Sequence, residues 1–479
     1  MLLAPGMHNG PKDGRVHSPA PAAVIPFIER SPMNPLPATT DLVDTLARGQ
    51  ATAMDLCEAA IERIERLDPA VNAVVVRDFD RAREQARAAD AALARGERRP
   101  LLGLPMTVKE SFNVAGLPTT WGLPHALAIP VTEDAAAVQR LKAAGAVILG
   151  KTNVSVSLGD WQAANPVYGR TMHPLDPTRT PGGSSGGSAA ALAAGMVPLE
   201  LGSDIGGSIR VPAAFCGVHG HKPTHGLVSM RGHHFPGHVT APDPLSVAGP
   251  LARNAADLER ALAVLAGPDL EDAQAWQLAL PPKRHAGIAG HRVLVLSTHP
   301  SARTAREVSS AVEHVAARLA DAGAQVEHRS ALLPNLADMH DTYTGLLMPT
   351  VTRGNPHAPP SISAHAWLDL MDRRHRFRAQ WRQFFEAFDV VLAPAFGTVA
   401  FSHDDEPNPT SRSLAVDGVP IPAVRHLAWP GVATLPGLPA TAMPTGLTSE
   451  GLPIGVQLIG PSYGDLTTIA LAGAFADAA

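Results

Sequence analysis

Apolar residues recur at helical spacing along the N-terminal third of the chain, and strand-like apolar runs lie between them. The first helix signal begins at Thr52, an N-cap residue with Asp55 three positions later, and Leu67-Asp68-Pro69 is expected to end it. The predicted elements that follow are a helix over 80–95, a strand over 104–108, a helix over 135–144 and a strand over 146–149. Such alternation predicts a sheet covered by helices on both faces.

The same alternation returns after residue 254. Before it, the chain from Val218 to Pro250 is loop-like, and 331–385 is helical in part, with a charge run over 372–382 that we interpret as a solvated helix face. The later predicted elements are helices over 255–266 and 304–321, strands over 293–296, 325–327, 389–394, 440–444 and 454–459, and a C-terminal helix from Asp465.

The first residues follow neither pattern. Residues 1–38 contain many prolines, have no periodic apolar face, and lack the basic start and apolar core of a signal peptide. We expect this N-terminal extension to be disordered. Met33, just before the patterned part, is an equally good candidate for the start of the protein.

The composition is that of an ordinary globular protein and argues against nucleic acid and membranes as partners. Of the 479 residues 45% are apolar, the net charge is −5, and no stretch is basic enough to follow nucleic acid. No apolar stretch approaches the roughly 18 residues that a membrane span needs. The two cysteines, Cys57 and Cys216, are too few for a disulfide framework, so we expect a cytoplasmic protein.

Two glycine- and serine-rich stretches flank an alanine-rich run. We name Gly182–Ser188 the first Gly-Ser segment and Gly202–Ser208 the second Gly-Ser segment. The run 188–194 suits a short helix ended by Gly195, and 197–201 suits a buried strand.

The end of the second Gly-Ser segment has the composition of a catalytic loop. Ser208 would lie at the start of a helical turn over 208–215, which Gly217 ends. The backbone amides expected to be unpaired, and able to converge on an anion, are those of Ile205, Gly206, Gly207 and Ser208. A serine beside such amides is the arrangement of a nucleophile with an oxyanion hole.

Three other interpretations compete. A phosphate-binding loop needs Gly-Lys-Ser/Thr, and neither segment contains a lysine. The pattern Gly182-x-Ser184-x-Gly186 matches a nucleophile elbow, but that elbow needs a preceding strand, and Arg179-Thr180-Pro181 is a poor one. Either segment alone would be a plain turn. Two of them, within the surrounding pattern, favour a catalytic site.

The combination resembles the amidase signature family of serine hydrolases. The similarity covers GGSSGGSAAALAAG, GSDIGGSIRVPAAFCG and the tail His221-Lys222-Pro223-Thr224, and it extends upstream to GLPMTVKE, in which the lysine is Lys109. It runs from about residue 41 to the C-terminus with a weak part near 330–430. So many linked motifs argue against a chance match.

The resemblance implies roles for three residues. Lys109 matches the catalytic lysine, Ser184 the serine that follows a cis peptide bond, and Ser208 the nucleophile. It implies hydrolysis of a carboxylic amide through an acyl-enzyme on Ser208, with release of amine or ammonia, and neither cofactor nor metal. Lys109 can be the base only when neutral, so burial must lower its pKa. Ser184 would pass the proton from Ser208 to Lys109.

The resemblance also implies the architecture: an α/β fold in which a large mixed sheet lies between helical layers, as a single catalytic domain over 39–479. Within it, 331–430 would be a variable pocket-lining region. The expected pocket residues are Trp121, Trp161, 340–360 and Trp429.

Three charged residues near the motifs are interpreted as structural. Asp204 and Arg210 flank the nucleophile with opposite charges and are expected to form an ion pair that braces the loop. Lys151 is a second candidate lysine, for which a solvated or structural role is the preferred interpretation.

Other function classes stay open. A component of a tRNA-dependent amidotransferase shares these motifs, although the segment after His225 departs from what we expect there. A non-catalytic binding protein would have no need of the intact lysine and serines. An esterase or a urethane (carbamate) hydrolase would use the same site. We expect the protein to act on a small-molecule amide and to bind neither nucleic acid nor a membrane. We expect it to be a monomer or a homodimer.

Six histidines within a short stretch raise the hypothesis of a metal site. They are His219, His221, His225, His233, His234 and His238. They offer no i, i+4 pair with a glutamate, and the family resemblance implies no metal. We therefore interpret them as residues of solvated loops.

Overall fold

The strands gather into one large sheet that carries helices on both faces. The computed structural model describes residues 37–353, 362–406 and 408–478. The helices within these ranges are α1 (Thr39–Ala47), α2 (Ala53–Val71), α3 (Phe79–Ala94), α4 (Ala136–Ala143), α5 (Gly186–Ala193), α6 (Arg210–Cys216), α7 (Ala255–Leu265), α8 (Arg306–Asp321), α9 (Leu336–Val351), α10 (Ala364–Ala387), α11 (Ala428–Thr434) and α12 (Asp465–Asp477).

The strands within the same ranges are β1 (Val74–Arg77), β2 (Pro105–Lys109), β3 (Val147–Thr152), β4 (Ala164–Asn165), β5 (Gly169–Arg170), β6 (Leu199–Asp204), β7 (His219–Lys222), β8 (Val247–Ala252), β9 (Arg292–Val295), β10 (Gln325–Glu327), β11 (Val390–Pro394), β12 (Ser413–Val416), β13 (Val419–Pro422), β14 (Ala440–Leu447) and β15 (Pro453–Ile459). Eleven of them form the large sheet, in the order β1-β3-β2-β6-β8-β7-β14-β15-β11-β9-β10. β2 runs parallel to β3 and β6, and β9 runs parallel to β10 and β11. The other neighbours are antiparallel, so the sheet is mixed.

Strand β11 shows that both faces of the sheet are buried. Alternate residues of a strand point to opposite faces. Val390 and Leu392 belong to a core that includes residues of α7, α8 and α12, whereas Val391 and Ala393 belong to one that includes residues of α9, α10 and α11. The predicted fold class, a large mixed sheet between helical layers, is confirmed.

Most of the predicted elements are present. The Thr52 side chain accepts the amide of Asp55 while the Asp55 carboxylate accepts the amide of Thr52, the reciprocal cap that the sequence predicts for α2. Gly145, with a φ of +93°, ends α4 in a backbone conformation that favours glycine. The short helix predicted between the Gly-Ser segments is α5.

The predicted end of α2 is wrong. The helix continues past Pro69 to Val71 and ends where Asn72 adopts a left-handed φ of 57°. The Asp68 carboxylate accepts the amides of Ala73 and Val74. The chain therefore turns after the proline, because Asp68 supplies the acceptor for the backbone that follows.

The prediction that the chain is loop-like from Val218 to Pro250 is wrong at both of its ends, because β7 and the start of β8 lie in the sheet. Strand β7 is rich in polar residues, which conceals it from a search for apolar runs. Its side chains have buried partners: His221 Nδ1 lies 2.9 Å from Thr441 Oγ1, and His221 Nε2 lies 3.1 Å from Asp465 Oδ1. These contacts stabilise polar side chains that burial would otherwise destabilise.

Part of the sequence prediction concerns residues that the structure does not describe. The predicted disorder of residues 1–38 concerns a segment of which residues 1–36 lie outside the described residues. Within the predicted pocket-lining region 331–430, residues 354–361 and 407 also lie outside them. Among the helices of the described part, none is both long enough and apolar enough to cross a membrane.

Candidate active site

Two parallel neighbouring strands bring the candidate residues to one edge of the sheet. β2 and β6 lie side by side with Val108 opposite Leu201, so their C-terminal ends meet. Lys109 is the last residue of β2, and Asp204 is the last of β6. The second Gly-Ser segment continues from β6 at this edge, which places Lys109 beside Ser203.

The first Gly-Ser segment lies against the second one and leads into α5. The peptide bond between Gly183 and Ser184 is cis, as the family resemblance implies. The amide of Ser185 donates to the carbonyl oxygen of Ser208 at 3.1 Å and ties the two segments together. At Gly187 the backbone approach is close, because a Cβ there would lie 2.4 Å from the amide nitrogen of Asn153.

Lys109 is fully buried, and its amine contacts the oxygen atoms of two serines. Nζ donates to Ser184 Oγ at 2.7 Å and to Ser203 Oγ at 2.9 Å. Burial lowers the pKa of Lys109 to about 7, although the charges of Asp204 and Glu110 act in the opposite direction. Such an amine is unprotonated in a large fraction of molecules at neutral pH and can accept a proton.

Ser208 lies next to this pair without a direct hydrogen bond to it. Its residue is 6% exposed, and within the described ranges no hydrogen bond joins its Oγ to Ser184 Oγ. The structure thus brings Lys109 and Ser184 into contact and places Ser208 beside them through the bond from Ser185. Hydrogen bonds of catalytic groups often tighten only when substrate is bound.

A histidine predicted to belong to a solvated loop lies behind Lys109. His233 Nε2 is 2.9 Å from Ser203 Oγ and 2.9 Å from Ser111 Oγ. Burial, helped by the charge of Lys109, lowers the pKa of His233 to about 3, so its ring is neutral at physiological pH. Ser203 therefore links the Lys109 amine to a neutral imidazole.

Asp204 and Arg210 form the buried ion pair that the sequence predicts. Arg210 donates from Nη2 to Asp204 Oδ1 at 2.9 Å and from Nε to Asp204 Oδ2 at 3.0 Å, and both side chains are fully buried. Burial alone would raise the pKa of Asp204, but the charge and hydrogen bonds of Arg210 lower it to about 2. Arg210 also donates to Gln457 Oε1 at 2.8 Å, which ties the pair to β15.

The loop after Asp204 differs from its prediction at one amide. Gly207 donates its N–H to Asp204 Oδ1 at 2.9 Å, so the expectation that four amides are unpaired is wrong at this residue. Within the described residues, the amides of Ile205, Gly206 and Ser208 have no intramolecular acceptor. Three of the four amides therefore stay available to a ligand.

Aromatic side chains surround the two Gly-Ser segments. Trp161 Nε1 donates to the carbonyl oxygen of Gly206 at 2.9 Å, and Tyr343 Oη donates to that of Ile205 at 2.7 Å. Trp121 lies on the Lys109 side, where its ring centroid is 5.2 Å from that of His233. Trp429 is different, because it is fully buried in the core with α9 and α10.

The remaining histidines of the cluster are dispersed. His219 and His221 are buried in β7, His225 Nε2 lies 3.0 Å from the carbonyl oxygen of Asp243, and His234 Nδ1 lies 3.1 Å from Thr240 Oγ1. The interpretation as solvated loop residues is wrong for His219, His221 and His233. In the part of the chain that the structure describes, no three His, Cys, Asp or Glu side chains are grouped to hold a metal ion.

Comparison with known proteins gives a consistent result. The model of the family described as Amidase matches residues 55–353 and 347–469. The chain belongs to the amidase signature family. It is 36% identical to a glutamyl-tRNA(Gln) amidotransferase subunit of Roseiflexus castenholzii, over 90% of this chain and 94% of the relative. It is 37% identical to the putative amidase AmiB2 of Mycobacterium bovis, over 89% and 93% of the two chains.

A solved structure agrees with this assignment. A bacterial aryl acylamidase of the amidase signature family matches with a TM-score of 0.80 at 25% identity, over 93% of this chain and 96% of that one. Members of the amidase signature family hydrolyse amide bonds, and this chain is an amide-hydrolysing enzyme of that family.

Proposed function

We propose that this amidase cleaves a small-molecule carboxylic amide through an acyl-enzyme on Ser208, with Lys109 as the base and Ser184 as the proton relay. The observation that carries the proposal is the 2.7 Å contact between Lys109 Nζ and Ser184 Oγ at a fully buried position. Because burial lowers the pKa of Lys109 to about 7, a large fraction of this lysine is in the neutral form that a base requires.

The proposed reaction begins when Ser208 Oγ attacks the amide carbonyl carbon. The Ser208 proton passes to Ser184, whose own proton passes to Lys109. The oxyanion that forms is stabilised by backbone amides of the second Gly-Ser segment. Collapse of the tetrahedral species breaks the C–N bond, and the amine leaves with the proton that Lys109 returns through Ser184. Water then attacks the acyl-enzyme by the same route and releases the carboxylate.

Labelling with a fluorophosphonate tests this proposal independently of the natural substrate. Attack by the nucleophile forms an O–P bond and expels fluoride, and peptide mass spectrometry identifies the modified residue. We expect modification of Ser208 in the wild type and none in Ser208→Ala. Ser185→Ala is the matched control and should still be labelled, since its hydroxyl is outside the proposed relay. Modification of another serine would overturn the proposal.

A second candidate function is supported by the relative that is part of a glutamyl-tRNA(Gln) amidotransferase. In that case the chain would act within an assembly rather than as a monomer or homodimer. Size-exclusion chromatography of the pure protein, combined with an amidase assay, separates the two candidates. Robust hydrolysis by the chain alone supports the first, and activity that requires further protein chains supports the second.

The substrate within the amide class is best found by an activity screen. Aliphatic, aromatic and peptide amides should be compared with esters and carbamates, since the same serine chemistry serves an esterase or a urethane hydrolase. A carbamate or ester that is cleaved faster than every amide would favour those alternatives.

The two cysteines, Cys57 and Cys216, are both buried thiols, which supports the proposal of a cytoplasmic enzyme.

A further inference from the structure

The carbonyl oxygens of the second Gly-Ser segment all have donors after Asp204. Ile205 O accepts from Tyr343 Oη at 2.7 Å, Gly206 O accepts from Trp161 Nε1 at 2.9 Å, and Gly207 O accepts from the amide of Val211 at 2.7 Å. These three bonds fix the orientation of three consecutive peptide planes.

Fixing a carbonyl also fixes an amide. In a trans peptide the C=O and the following N–H point in opposite directions, and the only cis bond among the described residues precedes Ser184. The bond from Tyr343 therefore directs the Gly206 N–H away from α9. The bond from Val211 directs the Ser208 N–H in the same manner. Both amides lack an intramolecular acceptor within the described residues.

The middle peptide plane differs from its neighbours. Its carbonyl accepts from Trp161, and its N–H, that of Gly207, donates to Asp204 Oδ1 at 2.9 Å. This plane is held at both ends by the protein itself. Its amide is consumed by a carboxylate that the buried Arg210 keeps ionised.

We propose that Tyr343 is a positioning residue that holds the Gly206 amide as an oxyanion donor, and that the amides of Gly206 and Ser208 take part in the oxyanion hole whereas that of Gly207 does not. The inference rests on the proposed function, because it takes Ser208 as the nucleophile. Tyr343 acts through the Ile205–Gly206 peptide and does not touch the substrate.

The position of Tyr343 suits this role. The residue is fully buried, and burial raises the pKa of its hydroxyl, so the group remains a donor across the pH range of an assay. Its ring packs against Gly431, where an added Cβ would lie 2.7 Å from Tyr343 Cδ1. The ring is therefore held by packing that does not involve the hydroxyl, and Tyr343→Phe removes the hydrogen bond while keeping that packing.

The first test compares Tyr343→Phe with Thr342→Val. Thr342 lies on the same helix, is fully buried, and donates its hydroxyl to Asp338 O, away from the loop. We expect Tyr343→Phe to lower both kcat on the best amide of the screen and the rate of fluorophosphonate labelling of Ser208 by about 10-fold or more, with KM within about twofold. Thr342→Val should change neither rate by more than about twofold.

The outcomes separate this inference from the proposed function. If Ser208 of the wild type is not labelled, the proposed function fails. If Ser208 is labelled and Tyr343→Phe reacts at the wild-type rate, only the role of Tyr343 fails. A fall in kcat that Thr342→Val reproduces would show a general effect of α9 and would also overturn that role.

A second measurement does not depend on how any variant folds. Phenylboronic acid forms a tetrahedral adduct in which Ser208 Oγ bonds to boron, boron takes the negative charge, and the serine proton moves to Lys109. In a crystal structure of the wild-type adduct, we expect a boronate oxygen within hydrogen-bond distance of the Gly206 and Ser208 nitrogens. An oxygen bound to the Gly207 nitrogen, or one out of reach of Gly206, would overturn the inference.

Discussion

Two neighbouring strands of the sheet each end near a fully buried lysine, and the two lysines have different surroundings. Lys109 ends β2, and Lys151 lies on the parallel strand β3, opposite Val108. Burial lowers the pKa of Lys109 to about 7 and that of Lys151 to about 8. By burial and pKa alone, either residue could be a base.

The partners distinguish them. Lys109 donates to Ser184 Oγ, a hydroxyl that can pass a proton onward. Lys151 donates to the carbonyl oxygen of Pro118 and, at 2.9 Å, to Thr119 Oγ1, whose own hydroxyl donates to the carbonyl oxygen of Phe112 at 3.4 Å. A carbonyl only accepts, so it holds an amine in place and relays nothing. The comparison teaches that a lowered pKa marks burial. The difference for catalysis lies in what the neighbouring hydroxyl faces, which is a backbone carbonyl for Thr119 and the proposed nucleophile for Ser184.

Replacing Lys109 is expected to have the largest effect on activity. Lys109→Ala should lower kcat by about 10³-fold or more, because nucleophile, relay and base act as a unit. Steady-state kinetics measures the effect, and thermal unfolding checks that the variant is folded. Residual activity near the wild-type level would place the base elsewhere.

The pH dependence of kcat/KM gives the next largest effect. Lys109 accepts a proton only when neutral, so activity should fall as the pH drops through about 7, by about tenfold per unit below that value. The midpoint should stay the same in Lys151→Met. If this fall in activity at acidic pH, the acidic limb of the profile, disappears in Lys151→Met, the roles of the two lysines would have to be exchanged.

Replacing Lys151 should affect stability more than catalysis. Lys151→Met leaves the Pro118 carbonyl and the Thr119 hydroxyl without their donor, which should lower the free energy of unfolding by about 1–3 kcal/mol. We expect kcat to remain within about threefold of the wild type. Chemical denaturation and kinetics on the same preparation separate the two effects.

The parts of the site that the sequence predicts are those that adjacent residues determine. Lys109 follows an apolar run of strand length, and the two Gly-Ser segments contain Ser184 and Ser208 in recognisable surroundings. Their convergence is implied by the family resemblance alone, and the structure shows its cause, since β2 and β6 are parallel neighbours whose C-terminal ends meet at one edge of the sheet. The ion pair between Asp204 and Arg210 was predictable because the two residues lie only six positions apart in the chain.

The parts that the sequence does not predict depend on distant contacts. Tyr343 reaches Ile205 from a helix 138 residues away in the chain. The paired Gly207 amide is an exception, because Asp204 lies only three residues before it, and an aspartate that accepts a nearby backbone amide is a local pattern that could have been predicted. Strand β7 was missed because His219 and His221 are polar, although tertiary partners allow their burial. No local pattern reports such contacts.

The smallest predicted effect concerns His233 and tests the rival in which a histidine is the base. His233 Nε2 lies 2.9 Å from Ser203 Oγ, which accepts a hydrogen bond from Lys109 Nζ, so the histidine orients the lysine through Ser203. We expect His233→Phe to lower kcat by about 3- to 10-fold, and His233→Gln, whose side-chain amide can form a hydrogen bond with the same hydroxyl as donor or acceptor, to recover part of that loss.

The pH profile of these variants decides between the two roles. Burial keeps the pKa of His233 near 3, so the ring is neutral at physiological pH and its removal takes away no charge from Lys109. The acidic limb near pH 7 should therefore persist in His233→Phe, with its midpoint shifted by less than about one unit. If His233→Phe abolishes the limb and loses as much kcat as Lys109→Ala, the histidine is the base and Lys109 only positions it.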